Sequence, residues 1–584
     1  MKETEYQHRT DSIEEKIKLL QNALGDSNFD KALSLADSMR QTLKFEKQRQ
    51  DSVEVAVVAA DNYLLVPELP PAWSQWAHGW QFCKVIVLRE AAGLARERNP
   101  IDMKLAFPEE QVTDLRREIR VAAVMPESGA IQEITSQVYG EVFQQGIRTC
   151  QLVLQASLEA NEARHFFIFY GNPLAELPAY PSDLCVEGEG FGLDISNDHF
   201  SARLSRQMGQ LERLTYGSRL GLELYAGGPG HGEPPNIDWA HDYLSSNKFQ
   251  KFRLTNWETC PDYEVVRGPL MVKVRRWGFP HCPVHPLFTP SRMHIDVTYS
   301  FHSGLPWFTK DGRMDVVKDF EINYLRDDEW VFSGYTFDEI LWMDRNGKLH
   351  EGEVPTESAN DLWGIGFYSK YSRDAFVALF LEHRAENFDA LFHAGAPSLH
   401  YEGHGQIWSR WAARNDPQFK KGAALIQRNA YLTMPYPDDG ADGVEALYDI
   451  LKSPLEISSG ELPTVNAASE GALARQGETR ETSPLKPAIW QALREIRDEM
   501  LYTVDANVVD MGYIYNLHER NGEVQILMTM PHKGRPEYEF IGQPIRERLL
   551  KLGGVDKVII EHTWAPAWNV NRLNEAGRQA MGIN

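Results

Sequence analysis

Residues 281–304 read HCPVHPLFTPSRMHIDVTYSFHSG, and the second half of that stretch decides the fold of the chain's centre. Arg292, His294, Asp296, Thr298, Ser300 and His302 share one parity, while Met293, Ile295, Val297, Tyr299 and Phe301 share the other. Strand side chains alternate between two faces, so the pattern predicts a strand with an apolar underside and an upper face of imidazole, carboxylate and guanidinium. Such a face suits a ligand better than bare water.

Outward from that strand, short apolar or alternating runs recur between residues 53 and 456: VEVAVVAA (53–60), VIVLRE, IRVAAVM, FFIFYG, MVKVRRW, DFEINYL and AFVALFL among them. Turn signals such as GNP and RNGK separate them, which predicts antiparallel β-structure. We divide it into a β-rich domain at 53–171 and a larger β-sandwich at 172–456, with the boundary at Gly171-Asn172-Pro173. Residues 1–52 carry two helical patterns broken at Gly25-Asp26, a hairpin expected to pack on the main body. Residues 457–487 are rich in Ser, Gly, Glu and Thr and read as a linker. Residues 488–584 return to a mixed helix and strand pattern. The expected class is multidomain and mainly β, with an N-terminal helical hairpin, a large antiparallel β-sandwich and a small C-terminal α/β domain.

Bulk properties narrow the function. A net charge of −23 over 584 residues lacks the basic footprint of a nucleic-acid binder. No apolar run is long enough to span a membrane, and the polar start MKETEYQHRTDS has no signal-peptide core. The five cysteines are widely spaced and form no CxxC pair, which suggests a reducing, cytoplasmic setting. No dinucleotide fingerprint appears, so neither NAD nor flavin is expected.

Candidate chemistry falls in clusters. His294 and Asp296 sit roughly 6.6 Å apart on one strand face and could flank a reacting group, with Arg292 holding an anionic substituent. His281 and His285 lie in a proline-rich loop that could fold over His294 as an open three-nitrogen metal site. His294 and His302 stand roughly 26 Å apart along the strand, too far to share one ion. The loop AGGPGHGEPPNIDWAHDY offers His231, Glu233 and His241 to a substrate. LHYEGHGQIWSRW places His400, Glu402 and His404 on one face if it is a strand, with Glu402 a candidate base and His404 a candidate metal ligand. Glu321, on the next expected strand DFEINYL, would neighbour 292–302 in a meander and is another candidate base. Trp307 and Trp408 are candidate ring-stacking residues. Each cluster has a plainer reading as loop histidines or core tryptophans.

The C-terminal segments VVDMGYIYNL (Val508–Leu517), EVQILMTMP, LLKLGGVDKVIIEHTW and the closing WAPAW (Trp564–Trp568) resemble the PaaD/SufT-like domain of iron–sulfur assembly factors. The resemblance implies an α/β fold. The family's usual cysteine precedes a proline in the loop after the central strand, where this chain reads TMPHKGRPEY with Arg535 before Pro536 and no cysteine in the domain. Without a thiolate, no iron–sulfur cluster is expected. A docking or substrate-covering role is the alternative, with His532, Lys533 and Arg535 forming an anion-friendly rim. The YGNP strand, FGLDISNDHFSARLSRQMGQLERLTY and MHIDVTYSFHSGLPWF look similar to galactose-mutarotase-like supersandwich proteins. That resemblance implies a curved sheet presenting polar residues to carbohydrate-like ligands.

The leading expectation is an enzyme of elimination, isomerisation or hydrolysis on a small oxygen-rich substrate, assisted by a divalent metal (Zn, Fe or Mn). The alternatives are a metal-independent sugar epimerase and a non-catalytic adaptor contacting an iron–sulfur client. Partner proteins or a second copy would use the N-terminal helices or the C-terminal domain.

Overall fold

The computed structural model describes residues 5–8, 12–33, 56–125, 130–216, 260–281, 292–321, 324–332, 337–395, 406–415, 417–436, 442–463, 485–498, 506–520, 522–531, 537–562 and 573–582, with shorter pieces between them. The strand expected from the alternating stretch is present as Met293–His302. Ile295, Val297, Tyr299 and Phe301 enter the largest apolar core, as their parity requires.

This strand is the fourth of a ten-stranded sheet. Across it the order runs Glu5–His8, Asp262–Arg267, Met271–Gly278, Met293–His302, Trp307–Val316, Ala424–Pro435, Asp374–Glu386, Gly364–Tyr368, Glu339–Met343 and Leu349–Glu351. Every pairing in it is antiparallel. Two five-stranded sheets lie elsewhere in the central region, one of which contains Tyr324–Phe332 and Gln406–Arg414. Leu325, Ala412 and Ala413 of those two strands share the large core with the ten-stranded sheet, so the two layers pack face to face as a sandwich.

Residues 64–170 form a smaller β-unit with its own core, which includes Ile86, Leu105, Phe107, Leu152 and Phe166. Glu456–Ser459 pairs with its strand Phe82–Arg89, although the chain reaches that point only after crossing the whole central region. The start of the linker expected at 457 therefore lies inside a strand. The apolar run at 53–60 was also expected as a strand; its described part makes only an isolated bridge, Val58 to Leu105. A third correction concerns Glu321. The antiparallel neighbour of 293–302 is Trp307–Val316, while Phe320–Glu321 pairs with Gln418–Phe419. The turn at Ser303–Gly304 returns the chain at once and leaves no slot for a later strand.

The small unit sits on the polar face of the ten-stranded sheet. Gln137 locks the joint: its Oε1 accepts from the amides of Leu270 and Met271 at 3.0 and 2.9 Å, and its Nε2 donates to the Met271 carbonyl. Arg98 donates to the Ser303 carbonyl at 3.1 Å, close over Gly304, whose φ of 62° and lack of a Cβ both suit glycine. At the N-terminus the helix Ser12–Gly25 docks through a buried ion pair, Lys16 Nζ to Asp262 at 2.7 Å. No described helix is long and apolar enough to cross a membrane.

The C-terminal domain is α/β, as expected. Ile514–Arg520 and Glu523–Met528 form a hairpin, Lys557–His562 adds in parallel, and the helices Leu485–Leu493 and Glu537–Leu549 cover the sheet. Its core includes Ile489, Val524, Ile526, Ile545 and Leu549.

Candidate functional site

The polar parity of 292–302 divides into a sealed end and an open end. At the sealed end His294 is 1% exposed, lies edge-on to Phe279 with ring centroids 5.3 Å apart, and is pushed down to about 4 by burial. Lys16 of the docked helix is among the charges acting on it. Asp296 takes a two-pronged bond from Arg275 at 3.0 and 2.7 Å. Arg292 donates to the Asp319 carbonyl. His294 and Asp296 share a face, but imidazole and carboxylate are engaged separately.

At the open end Thr298, Ser300 and His302 line a cavity of about 570 Å³ between the central sheet, the strand Arg96–Pro108 and the helix Asp442–Lys452. Its floor is built by register. Glu264, Arg275, Thr298, Asp311, Arg428 and Glu382 stand opposite one another on six successive strands. Lys273, Ser300 and Thr309 form the next row. With strands about 4.8 Å apart, each row places its side chains within reach of their neighbours. The roof is mainly apolar, with Pro100, Ile101, Ile450, Leu451, Leu455 and Ile457, and the strand that supplies Ile101 also brings Asn99 and Asp102 to the lining.

His302 is the group that such a setting perturbs most. It is 7% exposed, packs beside Trp307 with ring centroids 5.8 Å apart, and its Nδ1 is buried without a hydrogen-bond partner. Burial, then Arg428 and Lys273, push it down to about 4, so the ring is neutral near pH 7. Asp311 and Asp102 move the opposite way: burial raises both, against the opposing pull of Arg428 and Lys273 on Asp311 and of Lys273 on Asp102. About half of the Asp311 side chain is exposed, which weakens the effect of burial on it. Asp102 accepts from Tyr139 Oη at 2.5 Å, and Lys273 Nζ donates to the same hydroxyl at 3.1 Å.

The roof is held from outside the cavity. Arg96 donates to the carbonyls of Ile450 (3.1 Å) and Ser453 (2.5 Å), at the end of the roof helix. Glu90 pairs with Arg96 at 3.1 Å and accepts from the amides of Ala92, Gly93, Leu94 and Asn161. Those bonds, that from Asn161 foremost, hold the Glu90 carboxyl down to about 2.

The opposite face of the same sheet carries a second polar set. Lys310 pairs with Asp328, which also accepts from Tyr431 Oη at 2.8 Å and Asn429 Nδ2 at 3.0 Å. Arg410 bonds Gln427 and Asn429 and stacks on Phe380 at 4.3 Å. These six polar residues are at most 2% exposed, so the set is sealed in this structure.

Of the residues singled out in the sequence, Trp307 lines the cavity. Glu321 is exposed, beside Gln418. His281, His241 and Trp408 are described in backbone only, each on a strand. His231, Glu233, His285, Glu402, His404, Lys533 and Arg535 lie outside the described residues. Among the described residues no group of three His, Cys, Asp or Glu side chains is placed to hold a metal ion. Sequence reasoning passed over Asp102, Lys273, Arg275, Asp311 and Arg428. Lys273 and Arg275 do share a parity in MVKVRRW, but only register shows which face they join.

Comparison with known proteins separates the two ends of the chain. The central region has structural neighbours among sugar enzymes. An α-mannosidase from Enterococcus faecalis V583 superposes with a TM-score of 0.37 at 9% identity, over 74% of this chain and 49% of the other. Galactose 1-epimerase from Lactobacillus acidophilus NCFM gives 0.24 at 9% identity, over 43% and 94%. At those scores the account of the central fold rests on its own sheet order. The C-terminal domain is 31% identical over 81 residues to an "Fe-S protein maturation auxiliary factor" of Porphyromonas gingivalis (strain ATCC BAA-308 / W83), covering 14% of this chain and 77% of that protein. Residues 486–561 match the family described as iron-sulfur cluster assembly protein, and through this domain the chain belongs to that family.

Proposed function

We propose that the chain is an enzyme that moves protons on a small, oxygen-rich, hydroxylated substrate seated in the cavity over the ten-stranded sheet. One observation carries the reading: a buried, neutral imidazole with an unpartnered nitrogen, His302, shares one recess with a carboxyl of raised proton affinity, Asp311. A base and an acid kept apart by their surroundings are what proton transfer near neutrality needs. Arg428 and Lys273 stand beside them to stabilise developing oxyanion charge.

The simplest reaction of this kind is ring opening of a cyclic hemiacetal. His302 takes the proton of the anomeric hydroxyl, that oxygen forms a carbonyl, the bond from the anomeric carbon to the ring oxygen breaks, and Asp311 protonates the ring oxygen. Reclosure on either face interconverts the anomers and returns both protons. Polarimetry of freshly dissolved α-D-galactose and α-D-glucose tests this. Catalysed decay of rotation is expected, reduced roughly a hundredfold in His302→Gln and Asp311→Asn, the scale of a lost general acid or base. No acceleration beyond the buffer rate, with either sugar, sinks the reading.

The adaptor reading draws on a different observation, the family membership of residues 486–561 in a domain without cysteine. In that reading the domain docks on an iron–sulfur client and carries no cluster itself. Reconstitution with ferrous iron and sulfide tests it: absorbance near that of the buffer control is expected, and a cluster retained through gel filtration counts against it.

A further inference from the structure

The small β-unit does more than cover the cavity, because one of its side chains takes hold of a group on the floor. Gln137 and Tyr139 share a parity on the strand Ser136–Gln144. Gln137 locks the joint through the Leu270 and Met271 amides. Tyr139, 4% exposed, packs with Val153 of its own unit and with Val266, Leu270 and Met271 of the central region, the apolar core of that joint. The ring is therefore fixed from both sides.

Its hydroxyl emerges between two groups of the cavity lining. It donates to Asp102 Oδ2 at 2.5 Å and accepts from Lys273 Nζ at 3.1 Å. The Lys273 ammonium also lies over the Tyr139 ring, 5.4 Å from its centroid. Behind Asp102, the Gln151 amide donates to Oδ1 at 3.2 Å and to the Met103 carbonyl at 3.3 Å in the orientation that satisfies both of its ends. The direct contact of Lys273 with Asp102 is 3.9 Å between part-exposed groups and contributes little by itself. Tyr139 is what joins them, although it does not line the cavity. From this position the charge of Lys273 reaches both His302 and Asp311. A lysine stem is flexible, and an ammonium stabilises developing oxyanion charge best when it is already in place.

We infer that Tyr139, backed by Asp102, is a positioning residue that holds the Lys273 ammonium at the cavity, so that the small β-unit completes the site over the ten-stranded sheet. This role rests on the proton-transfer reading for the task of Lys273 and goes beyond it in placing part of the machinery across the joint. Polarimetry of the full chain over a range of galactose concentrations tests it through kcat and KM. Lys273→Met is expected to lower kcat about a hundredfold, the scale of a lost oxyanion donor. Tyr139→Phe keeps the ring in the joint and removes only the hydroxyl. It is expected to lower kcat roughly tenfold with KM held within about twofold, the pattern of an interaction made in the transition state. The double variant Tyr139→Phe with Lys273→Met is expected to match Lys273→Met alone, since a residue that acts through another has no effect once that other is gone. Asp102→Asn keeps an acceptor for the hydroxyl and is expected to retain most of the kcat, whereas Asp102→Leu falls to the level of Tyr139→Phe.

Undiminished kcat in Tyr139→Phe, or losses that multiply in the double variant, overturns the inference and leaves the proton-transfer reading standing. If Tyr139→Phe fails to fold, the Asp102 variants decide, and equal kcat in the two overturns it. A wild-type chain without mutarotation sinks the proton-transfer reading, and the role of Tyr139 falls with it.

Discussion

The two faces of the ten-stranded sheet use similar residues to opposite ends. On the inner face Lys310 and Asp328 sit with Tyr431, Asn429, Gln427 and Arg410, each at most 2% exposed. On the outer face Lys273, Asp311, Arg428 and His302 surround a cavity. A single step along one strand separates the two environments, since Lys310 points inward and Asp311 outward. What distinguishes the faces is their cover. The inner set is closed by the second layer of the sandwich, while the outer set is spanned by a domain joint that leaves room. Polar residues on a sheet become a candidate site where the covering layer fails to fill the space above them, and a structural network where it succeeds.

The inner pair is where this comparison breaks most easily. Lys310→Met removes the cation that pairs with Asp328 in a sealed core, and loss of one partner of a buried pair costs about 3–5 kcal/mol. The double variant Lys310→Met with Asp328→Leu is expected to recover part of that loss, because the Lys310–Asp328 pair is then removed whole. Chemical denaturation of the two proteins measures the difference. A Lys310→Met protein as stable as the wild type would show that the inner face tolerates the loss of that cation, and the contrast between the faces would fail.

Acid sharpens the comparison next. His294 and His302 are both pushed down to about 4 in the fold, below the ordinary value of about 6.5. Between those values the unfolded chain takes up protons that the folded chain refuses. The stability is therefore whole above pH 6.5 and drains as pH falls toward 4, by up to roughly 3 kcal/mol for each histidine. Asp102 and Asp311, raised in the fold, work in the other direction, since protonation at low pH favours their folded state. His302→Gln isolates one contribution: denaturation curves between pH 7 and 4.5 are expected to lose about a third of the histidine slope, because burial also holds His383 well below its ordinary value.

How far the sequence could be read follows from the same two faces. The parity of 292–302 located the strand and both of its surfaces, because alternation is a local property of backbone geometry. That the helix Ser12–Gly25 would bring its Lys16 charge to bear on His294 depends on a pair, Lys16 with Asp262, 246 residues apart, and nothing in either segment announces it. Asp102, Lys273, Asp311 and Arg428 meet His302 only through strand register and domain docking. The clusters in GHGEPP and HYEGHG drew notice because histidines adjacent in sequence are visible without a fold, whereas a site assembled from single residues on separate strands is not. The C-terminal domain was more legible, since its recognisable segments are contiguous. Even there Trp568, which donates to the Met511 carbonyl at 2.7 Å, shows its role only in the fold.

The smallest expected effect tests the joint itself. Arg96 lies outside the cavity lining, yet it holds the carbonyls of Ile450 and Ser453, and Ile450 begins the last stretch of the roof. Glu90 fixes Arg96 and is satisfied by backbone amides whether or not the guanidinium is present. Arg96→Ala therefore removes the link to the roof without stranding the carboxylate, and a loss of roughly 2 kcal/mol is expected, the scale of bonds made by a charged donor. If the open face depends on its cover, the same variant also weakens galactose binding while leaving the Lys310–Asp328 network intact. A merely structural Arg96 would lower the melting temperature and spare the affinity of the folded protein. Arg96→Lys, which keeps one charged donor but not the fork, is expected to fall between the two in both measurements.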